Sequence, residues 1–181
     1  MDKIAQQFFD IFRLKAGPQD LPASKLLMAL VVLAYAMLVL MLTVGDQGPG
    51  TALQVAIVAT LMLTGLVYLM LWVRDYTARY AQTLTAMAGC GVVLELLRWP
   101  LVILQQYGAN DGGSFFVVVA AILLWGLIVW EVAVIGNIFK HALDTSMWMG
   151  LIISCFYVFV SFRVMRTLFF TPETATTVPV T

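Results

Sequence analysis

Long apolar stretches alternate with short polar breaks along almost the whole chain. Five runs are long enough to cross a bilayer's hydrocarbon core, which takes about 20 helical residues at 1.5 Å each. They cover about 25–44, 51–73, 81–106, 115–139 and 147–170. GDQGPG (Gly45–Gly50) and YGANDGGS (Tyr107–Ser114) break the helical pattern with Gly and Pro. RDYTARY (Arg74–Tyr80) and KHALDTS (Lys140–Ser146) make the other two links. Links this short place consecutive helices side by side and antiparallel, and they leave no room for an extramembrane domain. The pattern predicts an all-α, polytopic transmembrane bundle of five spans over 25–170.

Ahead of the first span the pattern is different. On a helix over Asp2–Ala16, Ile4, Phe8, Phe9, Ile11 and Phe12 share one broad face. Lys3, Gln6, Gln7, Asp10 and Arg13 take the other, and Gly17-Pro18 ends the segment. An amphipathic segment just before a span lies in the headgroup plane as a membrane-interface helix, with docking of a protein partner as the other use. No signal peptide is expected, because no apolar core with a small-residue cleavage site precedes the first span. The tail TPETATTVPVT, from about residue 171 to 181, is polar and without periodicity, which predicts disorder.

Composition agrees with the spans. The chain is 62% hydrophobic and 11% charged, whereas a soluble domain carries about 25% charged residues. Net charge is zero, so no basic face for nucleic acid is indicated. The distribution of charge is more telling than its sum. Lys3, Arg13, Lys15 and Lys25 precede the first span, Arg74 and Arg79 follow the second, and Lys140 follows the fourth. These seven fall on one side of a five-span topology, opposed only by Arg163 and Arg166. The positive-inside rule puts the N-terminus in the cytoplasm and the C-terminus outside, and an inner-membrane location is expected.

The stretch VLELLRWPLVIL (Val93–Leu104) sets charge inside the third span. Glu95 and Arg98 are separated by three residues, about 60° apart around a 3.6-residue turn, so they can pair. Charges at the bilayer centre cost about 2.5–3.5 kcal/mol each on insertion scales. Pro100 removes a backbone donor nearby and predicts a kink. Glu131 interrupts the fourth span, and Arg163 lies at a depth similar to Arg98. From backbone positions at 1.5 Å per residue, Glu95 lies about 1–2 Å outward of mid-span and Glu131 about 6 Å inward. Side-chain reach can then join Glu95 to Glu131, and a water or a tilt would favour the longer reach from Arg98 to Glu131. Asn137 is expected to hydrogen-bond across helices. Glu95, Arg98, Glu131, Arg163 and Asn137 thus form the predicted intramembrane polar network. Its open uses are bundle stabilisation, proton or ion coupling, or contact with another subunit or a lipid headgroup.

Other chemistry is sparse. Cys90 and Cys155 lie in apolar runs and are expected as free thiols. His141 has no second His and no nearby Cys, so no metal site is expected. The small residues of AMAGCG (Ala86–Gly91) permit close helix approach. HExxH, GxSxG and nucleotide-binding glycine motifs are absent, and Ser154 and Ser161 lack a His or Lys in their own span. No cofactor and no enzymatic activity are expected.

The segment ILLWGLIVWEVAVIGNIFKHALDTSMWMGLIISCFYVFVS (Ile122–Ser161) resembles the fourth span, Lys-containing link and fifth span of bacterial members of the Yip1 family, and Pro100 fits the third span of that pattern. The resemblance implies a five-span helical membrane protein that associates with other membrane proteins, and it implies no catalytic residue. The long polar N-terminal region of the eukaryotic members is missing, so a role with small GTPases is not implied. The leading expectation is a non-enzymatic membrane protein acting through lipid or protein contacts, as a subunit of a membrane assembly. A small proton- or ion-coupled transporter or channel using Glu95 and Glu131 is the alternative.

Overall fold

Lys25 opens the first span because Ser24 caps it: its Oγ accepts the Leu27 N–H at 3.3 Å. The computed structural model describes residues 2–110 and 114–169, with side chains at all of these except 2–5, 46, 109, 110 and 114. The side chain of Ile4 and the tail 171–181 lie outside the described residues. Among the described residues all regular structure is helical. Five helices are long and apolar enough to cross a membrane: Lys25–Gly45, Gln47–Val73, Thr77–Gly108, Phe115–Ala142 and Met147–Phe169, the first to fifth spans.

The first two spans form a hairpin. Gly48 breaks the helix with φ +78°, a left-handed conformation that glycine adopts without penalty, and Pro49 follows it. Val39 then packs against Val55 and Ala56 across the hairpin, and Met165 and Phe169 of the fifth span join the same cluster. The turn at Gly48 and the close of the fifth span therefore sit at one end of the bundle.

The basic segments meet at the other end. Arg79 Nη1 pairs with Asp144 Oδ2 at 2.9 Å and donates to the His141 and Ala142 carbonyls at 3.2 and 3.3 Å. This ties the second link to the end of the fourth span. Both links hold a left-handed residue, Asp75 (φ +58°) and Asp144 (φ +48°), where the following N–H bonds back five residues, Tyr76 to Leu71 and Thr145 to Lys140. These are glycine-type helix stops made by aspartate, which tolerates that conformation better than most residues.

The fourth span, expected to close at about residue 139, continues as helix to Ala142. Glycine in a helix interior costs only about 1 kcal/mol relative to alanine, and close packing compensates it here, as Gly136 sits against Leu151 and Gly150 of the fifth span. The third span runs unbroken through Pro100 from Tyr80 to Asn110.

The N-terminal helix, Asp2–Phe12, is shorter than the Asp2–Ala16 expected. Leu14 turns the chain at φ +62°, and the Lys15 and Ala16 N–H groups both fall on the Asp10 carbonyl, at 2.8 and 3.3 Å. Gly17-Pro18 opens a single 3₁₀ turn, Pro18–Asp20, whose Asp20 Oδ2 accepts the Gly17 N–H at 2.9 Å. Nor does the apolar face of the helix point wholly to lipid. Ile11 is fully buried in the bundle core beside Leu21, Phe8 and Phe12 pack on that core, and Phe9 alone among the described side chains of that face stays exposed. Protein packing wins over lipid contact because the third span offers a complementary surface at Gly89, where the ring of Phe8 sits. Three polar contacts complete the dock: Asn137 Nδ2 donates to the Ala16 carbonyl at 3.1 Å, Gln82 Nε2 to the Leu21 carbonyl at 2.7 Å, and Gln7 Nε2 to the Asp20 carbonyl at 2.6 Å.

Candidate functional site

Glu95 and Glu131 each lie within three residues of the middle of their spans, Thr77–Gly108 and Phe115–Ala142. Arg98 joins them. Its Nη1 donates to Glu95 Oε1 at 2.6 Å and its Nη2 to Glu131 Oε2 at 2.6 Å. The guanidinium fork is divided between two carboxylates on two spans, one arm to each.

The Arg98–Glu131 bond is direct and needs no bridging water. Depths taken from backbone positions leave out the lean of helical side chains toward the N-terminus of their own helix. The third and fourth spans are antiparallel, so Arg98 and Glu131 lean toward each other in depth. Glu95 meets Glu131 through Arg98 and not by direct reach.

The two carboxylates also face a cavity of about 40 Å³ in the centre of the bundle. One water needs about 10–15 Å³ on this measure, so the cavity has room for about three or four. Tyr35 of the first span and Tyr157 of the fifth line it beside Glu95 and Glu131, while Leu63 and Ile138 are among its apolar walls. Arg98 is not among the residues lining it. Tyr35 is seated against Gly91, where a β-carbon would come within 3.1 Å of its ring. The AMAGCG glycines thus accommodate two aromatic rings, Phe8 at Gly89 and Tyr35 at Gly91.

The remaining network residues lie elsewhere. Asn137, six residues beyond Glu131, serves the N-terminal segment through Ala16. Arg163 is exposed on the fifth span and contacts neither carboxylate among the described residues. Ser154 Oγ, fully buried, donates to the Val132 carbonyl at 2.7 Å, joining the fourth and fifth spans. His141 Nδ1 lies 2.9 Å from the Asn137 carbonyl. Both cysteines are free thiols, Cys90 buried and Cys155 exposed.

Tyr35 and Tyr157 were not among the sequence candidates. Their signal is a phenolic hydroxyl deep in an apolar run, in VLAYAML and SCFYVFV, away from the interfacial depth where tyrosine gathers. Comparisons of the chain with protein-family models, with curated proteins and with solved structures found no match.

Proposed function

We propose that this chain is a non-enzymatic, multi-pass inner-membrane protein that works by associating with other membrane proteins, a second copy of itself, or lipid. The observation that carries this reading is the incomplete cover of the triad. The side chains of Arg98, Glu95 and Glu131 keep 30%, 23% and 24% of their surface exposed in the single chain. Hydrocarbon is a poor neighbour for that surface at mid-span, because charge there finds no solvation. A partner's polar group or a headgroup drawn inward supplies what the chain alone does not.

The orientation follows the basic residues. The N-terminal segment and the links holding Arg79 and Lys140 occupy one end of the bundle, and that end faces the cytoplasm under the positive-inside rule. The resemblance of Ile122–Ser161 to bacterial Yip1-family proteins fits an associating role and assigns no residue to it.

Cross-linking in native membranes, followed by purification in mild detergent, tests the association. Wild type is expected to run as a complex or with retained lipid, and Glu131→Gln to weaken that association. A strictly monomeric chain, with no partner and no lipid dependence, rejects the proposal.

The cavity between the carboxylates favours a second reading, proton- or ion-coupled transport. That reading requires flux in proteoliposomes that Glu95→Gln or Glu131→Gln abolishes, and flux indifferent to both substitutions eliminates it.

A further inference from the structure

The charges around the cavity do not balance. Tyr35 faces it from the first span, Cys90 and Glu95 from the third, Glu131 from the fourth and Tyr157 from the fifth, while the second span brings the apolar Leu63. Arg98 supplies one positive charge against two carboxylates. Arg163, the other arginine near this depth, is exposed and contacts neither of them among the described residues. Each carboxylate spends one oxygen on Arg98: Oε1 of Glu95 and Oε2 of Glu131. The guanidinium makes these bonds without lining the cavity, so the cavity faces the undercompensated carboxylates. Tyr157, only 8% exposed, adds a buried hydroxyl to the wall. The space has room for about three or four waters, and a water needs about two to four polar partners to be stable there.

We propose that Glu95, Glu131 and the cavity between them form a binding site for one exchangeable proton, shared between the two carboxylates through cavity water. Protonation puts one O–H bond on either carboxylate and leaves the other paired with Arg98, so the triad becomes neutral. Release returns the proton to cavity water and leaves a single negative charge in the bundle centre. A net charge at that depth is disfavoured, so the proton-loaded state is the resting one. The inference rests on the membrane-embedded reading of the triad, and it holds whether or not the chain has a partner.

Infrared spectroscopy of the purified full-length chain in nanodiscs counts the protons directly. A protonated carboxyl has its own C=O stretch, identifiable by its shift on exchange into D2O. The other eight acidic residues lie outside the spans, so a protonated acid at neutral pH reports on Glu95 and Glu131. Wild type is expected to show one such group per chain. Glu95→Gln and Glu131→Gln each leave one carboxylate with one guanidinium, so both are expected to show none. Arg98→Gln leaves two carboxylates with no cation, and its band is expected to be roughly twice that of wild type. Should Arg98→Gln fail to fold, the two glutamine variants decide the matter alone. A wild-type spectrum without the band overturns the proposal, as does a band that survives in both glutamine variants. A band that emerges only when sodium and potassium are replaced by choline also overturns it, in favour of a metal cation. The measurement needs no second protein, so its failure and a failure of the association reading are separate results.

Discussion

The ring of Phe8 occupies the space that a side chain at Gly89 would need. This fit fixes where the N-terminal helix lies, because Ile11 and Phe12 follow Phe8 onto the same surface and Phe12 comes to rest 6.1 Å from Trp130, ring to ring. A leucine at Gly89 is expected to expel the Phe8 ring and lift the helix from the bundle. Overpacking of this kind costs about 1–3 kcal/mol. Hydrogen exchange over residues 2–16 is the readout, and Gly89→Leu should raise it well above wild type. Gly126→Leu is the control, since the space around Gly126 is open. Equal protection in both variants would show that Phe8 does not hold the helix.

Asn137 is the polar half of the same dock. It is buried, and its amide donates to the Ala16 carbonyl. Asn137→Ala strands that carbonyl, and a buried unsatisfied polar group costs about 1–3 kcal/mol. The two halves act on one segment, so their effects should not add. With the helix already displaced by Gly89→Leu, removing Asn137 is expected to cost little more. Thermal melts of the two single variants and the double variant measure the coupling, and full additivity would separate Asn137 from the dock.

The spans were legible because hydrocarbon imposes length and apolarity directly on sequence, from Lys25–Gly45 to Met147–Phe169. The pairing inside them was legible only in part. Glu95 and Arg98 share one helix, so their spacing is enough to predict contact. Arg98 and Glu131 belong to different spans, and their contact depends on side-chain lean, which backbone depths omit. The role of the N-terminal helix was ambiguous for another reason. Ile11 and Phe12 give the same amphipathic pattern whether the apolar face meets lipid or protein. What decides between them is the bare surface at Gly89, eighty residues away, and no periodicity links it to Phe8.

Arg98 should tolerate no replacement well. Removing one partner of a buried ion pair costs about 3–5 kcal/mol, because the remaining charge is left unpaired. Arg98→Met leaves both carboxyl groups without a cation, and their uptake of protons brings the expected loss toward the lower end of that range. Arg98→Lys restores the charge but not the fork, so it should recover only part of the loss. Unfolding in a mixed-micelle denaturant series ranks the three proteins. Lysine performing as well as arginine would mean that charge alone matters and that the two 2.6 Å bonds do not.

Gly150 makes the tightest demand in the bundle, because its neighbours are backbone and not side chain. A β-carbon there would overlap the Gly136 carbonyl oxygen and lie 3.2 Å from the Lys140 nitrogen. At Gly89 the obstructing Phe8 ring can swing away, but a carbonyl in a helix cannot move without its helix. Gly150→Ala is therefore expected to push the fourth and fifth spans apart, at about 1–3 kcal/mol. That separation also threatens the Ser154–Val132 bond one turn along the fifth span. Ser154→Ala removes the same bond without the steric push and should cost about 1 kcal/mol. Gly65→Ala, with open space around it, should be neutral or stabilising by up to about 1 kcal/mol through helix propensity. The expected order of stability is Gly65→Ala, wild type, Ser154→Ala, Gly150→Ala. If Gly150→Ala melted with wild type, the two backbones would not be in contact at Gly136 and Gly150.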